Sequence, residues 1–234
     1  MKPSQIETAW KGEADCRACG VRALVLFSDL QEQDFELIHQ PIEDIQVEAG
    51  QALYHANAPG RDLFTLRSGL IKLVQYPADG TQRIVRLLRP GATAGMEVLV
   101  GATYEHDAIA LQPVTACRIP RDVVDKLSHE TPRLHAQLMQ RWHDSLRQAD
   151  EFLTELSTGK APQRLGRLLL QLAEKDGTVL LPSREDIGAL LGITTEHASR
   201  TVSELKRMDA IFEVSGNRFR CDLDELSCIS AAQR

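Results

Sequence analysis

Residues 182–220 constrain the fold of this chain more than any other stretch, because they predict two short helices joined by a tight turn. Ser183 stands three residues before Asp186, a spacing that predicts an N-cap pair at the start of the first helix. Gly192 is suited to close that helix in the left-handed conformation. The stretch therefore predicts a helix-turn-helix.

The second helix is predicted to begin at Thr194 or Thr195, either of which can serve as its N-cap. Ala198, Val202 and Leu205 recur at helical spacing and are expected to face the core. The polar residues between them fall on the opposite face. The helix is therefore amphipathic, with one face open to a partner.

The exposed face of the second helix carries side chains that suit base reading in a major groove. Arginine pairs bidentately with guanine, a carboxylate accepts from an exposed base amino group, and serine serves either role. His197 fits a DNA contact and an ordinary surface position equally well, and basic residues further along suit phosphates. The predicted DNA contacts are Arg184, Thr195, Glu196, His197, Ser199, Arg200, Lys206 and Arg207.

A hairpin is predicted directly after the second helix, from Ile211 to Asp222 with a turn at Ser215-Gly216-Asn217. Two helices alone match this motif by accident often, and an ordinary pair of surface helices is the alternative. The hairpin makes the match more specific, because it completes a winged helix-turn-helix. We therefore interpret this stretch as a DNA-binding module.

The net charge of −6 is unevenly distributed along the chain. From residue 158 onward, 11 Lys and Arg balance 11 Asp and Glu, so the negative excess lies in residues 1–157. A neutral module with clustered basic residues still binds DNA, with less non-specific affinity than a basic one. No run approaches the ~18 apolar residues of a transmembrane helix, and no signal-like segment opens the chain. We expect a cytoplasmic protein with no membrane partner.

The part of the chain from Leu37 to about Ile119 consists of short alternating or apolar runs separated by turn residues. The runs 70–76 and 83–88 flank Asp79-Gly80, a strong hairpin signal. Many short strands at this spacing predict a jelly roll. The expected α+β protein then has an N-terminal segment with a CxxC motif (1–30), a sensory jelly roll resembling a cyclic-nucleotide-binding domain (31–125), a dimerisation helix (126–158) and a winged helix-turn-helix domain (159–234).

A single long helix is predicted from Pro132 to about Ser157. Its apolar residues are spaced 3, 4, 3, 4 and 3 apart, which is the heptad rhythm of a coiled coil. Packing of this stripe on its own barrel is the alternative, but a parallel partner helix in a homodimer covers it more simply. A dimer also presents two recognition helices to an inverted repeat. The predicted seam is Met139, Trp142, Leu146, Ala149, Leu153 and Leu156.

In this order, a jelly roll, a long helix and a winged helix-turn-helix resemble the CRP/FNR superfamily of bacterial transcription regulators across about residues 20–225. The runs 66–72 and 184–192 resemble its barrel strand and first reading helix, and 195–200 resembles the FNR branch. The resemblance implies that Arg200 contacts guanine, Ser199 the neighbouring thymine and Glu196 the opposite strand of a TTGAT-type inverted repeat. It also implies double-stranded DNA and RNA polymerase as partners.

Members of this superfamily that bind cyclic nucleotides carry an Arg-Ser or Arg-Thr pair that grips the cyclic phosphate. In this sequence His106-Asp107 stands where that pair is required, after the run Gly-Met-Glu-Val-Leu at 95–99. An anion beside Glu105 and Asp107 without a guanidinium is penalised. We therefore do not expect cyclic AMP as the ligand.

Cysteines indicate a second class of signal. FNR proteins hold an oxygen-labile iron–sulfur cluster on three closely spaced N-terminal cysteines and one barrel cysteine. By resemblance Cys16, Cys19 and Cys117 match three of these, whereas Val25 or Phe27 stands at the remaining position. An iron–sulfur cluster here requires an oxygen or nitrogen donor as the fourth ligand. The candidates for that donor are Asp15, Asp29 and His39.

Three other interpretations of Cys16 and Cys19 stay open. A CxxC pair can form a reversible disulfide and act as a thiol switch without metal. It can supply half of a zinc site, for which a distant Cys117 is weak support. The cysteines can also be non-functional remnants in a protein that senses nitric oxide through haem, or a small molecule. Cys221 and Cys228 are interpreted as packed or surface residues.

Enzyme classes find no support in the motifs. The chain has no Gly-x-Ser-x-Gly elbow, phosphate loop or dinucleotide fingerprint. A CxxC oxidoreductase requires a βαβ frame, whereas this CxxC precedes a β-rich region. A metal-binding jelly roll of the cupin kind requires His and Glu clustered within the strands, which this sequence lacks. We expect a DNA-binding regulator and not an enzyme.

Overall fold

The computed structural model describes residues 10–11, 26–28, 31, 34, 38, 40 and 42–231. The chain forms two compact units. One contains the residues up to Gln75 together with Arg86–Arg147, and the other contains Tyr76–Val85 together with the chain from Gln148 onward. In the described residues, no helix is both long enough and apolar enough to cross a membrane.

Short strands are the main elements among the described residues up to Pro120. They are β1 (Trp10–Lys11), β2 (Ile42–Val47), β3 (Ala52–Tyr54), β4 (Asp62–Ser68), β5 (Ile71–Gln75), β6 (Arg83–Leu88), β7 (Thr93–Ala94), β8 (Asp107–Ala110) and β9 (Val114–Pro120). One sheet has the strand order β1-β2-β9-β4-β7 and the other has the order β3-β8-β5-β6. Neighbours in space are therefore mostly distant in sequence, which is the mark of a jelly roll.

The two sheets pack face to face around an apolar interior. Tyr54 of β3 stacks on Phe64 of β4 with ring centroids 5.8 Å apart, and on Tyr104 at 4.0 Å. The predicted hairpin at Asp79-Gly80 joins β5 and β6, and Gly80 takes a positive φ of 75° there. A short 3₁₀ helix, Met96–Leu99, lies between β7 and β8. The predicted jelly roll is confirmed.

Two helices follow the sheets. Helix α1 spans Arg121–Glu130, and helix α2 spans Pro132–Glu151. Thr131 separates them because its backbone is extended, as expected for the residue before a proline. A π-helical segment, Phe152–Leu156, continues from α2. The segment 126–158 thus contains the end of α1, all of α2 and the π-helical segment.

The C-terminal part combines helices with a small sheet. Its elements are α3 (Ala161–Leu172), β10 (Thr178–Leu180), α4 (Arg184–Leu191), α5 (Thr195–Arg207), β11 (Ile211–Ser215), β12 (Arg218–Cys221) and α6 (Leu223–Ala231). The antiparallel sheet has the order β10-β12-β11. Leu165, Leu168 and Leu169 of α3 are fully buried at helical spacing. The predicted winged helix-turn-helix is confirmed, with α4 and α5 as its two helices.

Candidate nucleic-acid interface

Helix α4 begins and ends with the caps that its sequence predicts. The Asp186 backbone N–H donates to Ser183 Oγ at 3.0 Å, and Ser183 Oγ in turn donates to the Asp186 carboxylate at 2.7 Å. Gly192 ends the helix at a φ of +64°, in the left-handed region that glycine occupies without steric cost. Both predicted caps are confirmed.

The turn between α4 and α5 is tight because Gly188 has no side chain. The Ile193 backbone N–H donates to the Gly188 carbonyl oxygen at 3.1 Å. A Cβ atom on Gly188 would lie only 2.7 Å from the Ile193 carbonyl oxygen. Thr194, one of the two predicted caps, then starts α5 by accepting the His197 backbone N–H at 3.2 Å. These contacts fix the direction in which α5 leaves the turn.

Helix α5 separates its packing residues from its predicted reading residues. Ala198, Val202 and Leu205 are fully buried. Thr201 is buried beside them and donates its hydroxyl to the His197 carbonyl oxygen at 2.8 Å. On the other face, Ser199 is half-buried, and the remaining predicted reading residues of the first turns are exposed: Thr195, Glu196, His197 and Arg200.

Opposite charges lie side by side on the exposed face of α5. The backbone N–H of Glu196 and the Thr194 hydroxyl lower the pKa of the Glu196 carboxyl, and the Arg200 guanidinium lowers it further. Glu196 is therefore ionised at neutral pH and lies within electrostatic range of Arg200. An anionic acceptor next to a bidentate donor suits two neighbouring base edges.

The basic residues predicted to contact phosphates differ in their surroundings. Arg207 is exposed and forms no ion pair with the described residues. Lys206, by contrast, donates its amine to Glu213 Oε2 at 2.8 Å. Arg184 is half-buried at the start of α4, where desolvation lowers the pKa of its guanidinium and Glu213 raises it. Of these three side chains, Arg207 has the greatest freedom to reach a phosphate.

Two arginines of the wing were not among the predicted contacts. Arg218 and Arg220 are exposed on β12, whereas Phe219 and Cys221 between and after them are buried. This alternation follows from the period of a strand and is visible in the sequence Arg-Phe-Arg-Cys. The outward arginines add positive charge to the same unit as the recognition helix.

The predicted dimer seam is largely uncovered in a single chain. Met139 is 51% exposed, Leu146 63% and Leu153 62%, which is high for large apolar side chains. Trp142 and Ala149 are half-buried. Leu156, in the π-helical segment, is instead buried within its own chain and has little surface left for a partner.

Cys117 lies on the outer face of its sheet and not in the barrel interior. It pairs with Thr65 of β4, one position along the strand from the Phe64–Arg118 pair. Phe64 points inward against Tyr54, so the alternation of side chains directs Cys117 to the other face. That face is covered, because Cys117 is buried together with Leu63. The thiol of Cys117 is therefore buried on the outer face of this sheet.

The described residues do not complete a metal or cluster site. Cys16 and Cys19, like the candidate fourth ligands Asp15, Asp29 and His39, lie outside them. Phe27, at one of the two positions considered for the missing cysteine, is a buried aromatic residue without a donor atom. Within the described ranges, no group of three or more His, Cys, Asp and Glu side chains could hold a metal ion. Of the proposed cluster ligands, Cys117 is the one that the described residues include.

The residues that replace the phosphate-gripping pair are engaged with the protein itself. Asp107 Oδ1 accepts the Ala56 backbone N–H at 2.8 Å and lies 3.3 Å from His55 Nδ1. His106 is buried, with its Nε2 3.3 Å from Gln75 Nε2. Burial is the largest influence on the pKa of Glu97 and raises it, but the hydrogen bonds from His106 and from backbone N–H groups together outweigh burial, so the net direction is downward. An ionised carboxylate beside this position disfavours an anion.

Comparison with known families covers both halves of the chain. Residues 44–131 match the cyclic nucleotide-binding domain, and residues 163–229 match the Crp-like helix-turn-helix domain. The two matches fall on the jelly roll and on the C-terminal helix-turn-helix described above.

Known proteins of similar sequence and structure agree with these matches. The chain is 29% identical over 210 residues to the anaerobic regulatory protein of Pasteurella multocida, covering 86% of this chain and 77% of that protein. It is 28% identical to the fumarate and nitrate reduction regulatory protein of Vibrio cholerae, covering 86% and 84%. The structure of FixK2 from Bradyrhizobium japonicum superposes with a TM-score of 0.74 at 22% identity, covering 83% of this chain and 100% of that one.

Proposed function

Because the chain belongs to the FNR-like branch of the CRP/FNR family, we propose that it binds, as a homodimer, an inverted repeat with TTGAT-type half-sites. It is a transcription regulator and not an enzyme. Regulation then requires sequence-specific DNA binding, a two-fold assembly and a signal that changes one of them.

The recognition helix carries the proposal on DNA reading. Its buried stripe, centred on Val202, fixes α5 against its own unit, so that Glu196 and Arg200 face outward at the start of the helix. Side chains at the start of a recognition helix are the ones that reach base edges in known helix-turn-helix complexes. We assign Arg200 to guanine, Ser199 to the neighbouring thymine and Glu196 to the opposite strand, with Arg207 on a phosphate.

Three duplexes test the proposal on DNA. The full chain is titrated by fluorescence anisotropy against a TTGAT inverted repeat, a scrambled duplex, and a repeat whose half-sites are moved apart by ~5 bp, about half a helical turn. We expect the first duplex to bind at least about 10³-fold more tightly than the second at physiological salt. The third should bind much more weakly than the first. Equal binding to all three would refute specific reading by a dimer.

The exposed apolar stripe of α2 supports the homodimer. Helix α2 leaves Met139 and Leu146 exposed, and packing against a second copy of the same helix would remove this apolar surface from water in both copies. Sedimentation equilibrium of the full chain should therefore yield twice the chain mass of 26.0 kDa.

For the signal, we propose redox or gas sensing through Cys16, Cys19 and Cys117. The relatives named for anaerobic regulation and for fumarate and nitrate reduction support a signal of this kind. The covered position of Cys117 supports it as well, because a change at a buried thiol disturbs the packing around it. Such a change alters DNA binding only if it favours one arrangement of the dimer over another.

Iron and acid-labile sulfide, measured per chain after anaerobic purification and again after exposure to air, test the form of the sensor. Stoichiometric iron and sulfide that are lost in air would support a cluster with a non-cysteine fourth ligand. Their absence, even after anaerobic reconstitution, would leave a thiol switch, which Cys16→Ser should abolish. A Cys16→Ser variant that responds normally would favour the alternative. In that case the cysteines are non-functional, and the regulator senses nitric oxide through haem or binds a small molecule.

A bacterial regulator that binds the chromosome acts in the cytoplasm, and we propose that location for this protein. We propose RNA polymerase as its second macromolecular partner. Addition of purified RNA polymerase to the complex of regulator and promoter should then give a slower-migrating species that neither protein forms alone. Loss of that species on a duplex without the inverted repeat is the control.

A further inference from the structure

Lys206 lies at the end of the recognition helix but is directed toward the wing. Its amine is 2.8 Å from Glu213 Oε2 of β11 and 4.8 Å from the centroid of the Phe219 ring of β12. Phe219 is buried, so its ring is held in place by the rest of the unit. The ammonium group thus contacts a carboxylate and an aromatic face at once, and both interactions favour a cation.

Strand register brings the two wing residues together. Glu213 and Phe219 are directly opposite each other in the β11–β12 pair, so their side chains project from the same face of the sheet. The register shifts between Glu213 and Ser215, which places this pair at the last regular position before the wing bends. A contact at this point therefore holds the wing hairpin beside its bulge.

Glu213 is ionised and has cationic neighbours on both helices of the motif. The hydrogen bond from Lys206 lowers the pKa of its carboxyl, and Arg184 at the start of α4 lowers it further. Two residues that the sequence marks as DNA contacts are therefore electrostatic partners of one wing carboxylate.

We propose that Lys206 is a positioning residue that holds the wing against the recognition helix through Glu213 and Phe219, and that it does not bind a DNA phosphate. The effects expected on DNA binding rest on the function proposed above. The effect expected on the wing does not, because it can be measured in the free protein. Lys206 and Arg207 are adjacent on one helix, and the structure assigns them different roles.

The salt dependence of operator binding separates the two roles. A phosphate contact contributes about −0.9 to the slope of log K against log salt concentration. We expect Arg207→Met to make the slope less steep by about that amount. Lys206→Met keeps the apolar stem over Phe219 and should leave the slope unchanged while weakening operator binding about fivefold. A reduced slope for Lys206→Met, equal to that of Arg207→Met, would overturn the proposal.

Removal of the partner carboxylate gives opposite results under the two roles. If Lys206 positions the wing, Glu213→Gln weakens operator binding, and adding Lys206→Met causes little further loss. If Lys206 binds phosphate, Glu213→Gln frees it and tightens binding. The exchanged pair Lys206→Glu with Glu213→Lys should recover operator affinity relative to Lys206→Glu alone. Failure of the exchange to recover affinity counts against the proposal.

Hydrogen exchange in the absence of DNA tests the wing directly. We expect Lys206→Met and Glu213→Gln to speed amide exchange in β11 and β12 several-fold, with Arg207→Met as the unchanged control. This result stands even if the wild-type chain shows no preference for the inverted repeat, a finding that would refute the proposed function alone. Unaltered exchange in both wing variants would refute the role of Lys206.

Discussion

In the DNA-binding unit, the candidate base-reading residues at 195–200 lie within two turns of a single helix, whereas the candidate sensor thiols are spread over separate parts of the chain. Glu196 and Arg200 share one face of α5, and the buried face of the same helix holds them in place. Cys117 belongs to a central strand of a sheet, and Cys16 and Cys19 belong to the N-terminal segment. The first site depends on one helix and its caps, while the second depends on how distant segments meet.

This difference has a consequence for mutation. Changes on α5 should alter DNA binding without altering the response to a signal, because the helix forms and packs within its own unit. Changes at the thiols should alter the response without altering base preference. Helix α2 is the exception. If its exposed stripe holds the dimer together, changes there should alter both DNA binding and the response to a signal.

The largest effect is expected from a charge in that stripe. Leu146→Asp places a carboxylate in the apolar seam and should convert the dimer to monomers. Two linked binding modules exceed one module in affinity by about 10²–10⁴-fold, so operator affinity should fall by that order. Light scattering and anisotropy on the same sample measure both quantities. Gln148→Asp, at an exposed position off the seam, is the matched control. A dimeric Leu146→Asp variant would show that the seam lies elsewhere.

The next largest effect is expected at Arg200. Replacement by Ala removes a bidentate contact to guanine and should cost about 1–3 kcal/mol of operator binding, with no loss on a scrambled duplex. The residual DNA binding of this variant should still change on exposure to air. Arg207→Ala provides the contrast, because a phosphate contact is lost equally on both duplexes. Equal losses for Arg200→Ala on the two duplexes would assign Arg200 to phosphate.

A smaller effect, on stability, is expected at Gly188. A Cβ there would stand 2.7 Å from the Ile193 carbonyl oxygen, so Gly188→Ala forces the turn of the motif apart. We expect a loss of about 1–3 kcal/mol in the free energy of unfolding, confined to the DNA-binding unit. Urea denaturation followed by circular dichroism measures it. Gly101→Ala, whose Cβ meets nothing closer than 3.4 Å, should be nearly neutral. Equal stability of the two variants would show that the turn yields easily.

The contrast between the regions also explains what could be predicted. Ser183, Gly192 and the hairpin glycine Gly80 act through their immediate neighbours in sequence, so caps and turns were predictable. The contact between Lys206 and Glu213 was not, because it depends on the register of two wing strands and on the seating of α5 against them.

The π-helical segment and the outward direction of Cys117 depend on packing in the same way. Nothing in the heptad rhythm distinguishes Leu156 from Leu153, yet one is buried in its own chain and the other is 62% exposed. The face on which Cys117 lies follows only once its pairing with Thr65 is known. Periodicity predicts which residues are apolar along a helix or strand, and tertiary contacts decide what covers them.

The smallest effect on function is expected from the two cysteines of the DNA-binding unit. Neither Cys221→Ser nor Cys228→Ser should change the response to air, since the proposed sensor thiols lie outside this unit. Their chemistry should nevertheless differ. Burial raises the pKa of Cys221 to about 11, whereas Cys228 is exposed on α6. Because the thiolate is the form that reacts, iodoacetamide at pH 8 should label Cys228 at least about a hundredfold faster.

The pH dependence of labelling, followed by mass spectrometry of the two peptides, separates two reasons for slow reaction at Cys221. If the thiol reacts within the folded unit, its rate should rise about tenfold for each pH unit from 7 to 10, since it stays below a pKa of about 11 throughout. A Cys221 rate that instead levels off within this pH range would mean that labelling occurs after the wing opens. Lys206→Met should then accelerate it, because loss of the Glu213 contact makes that opening more frequent.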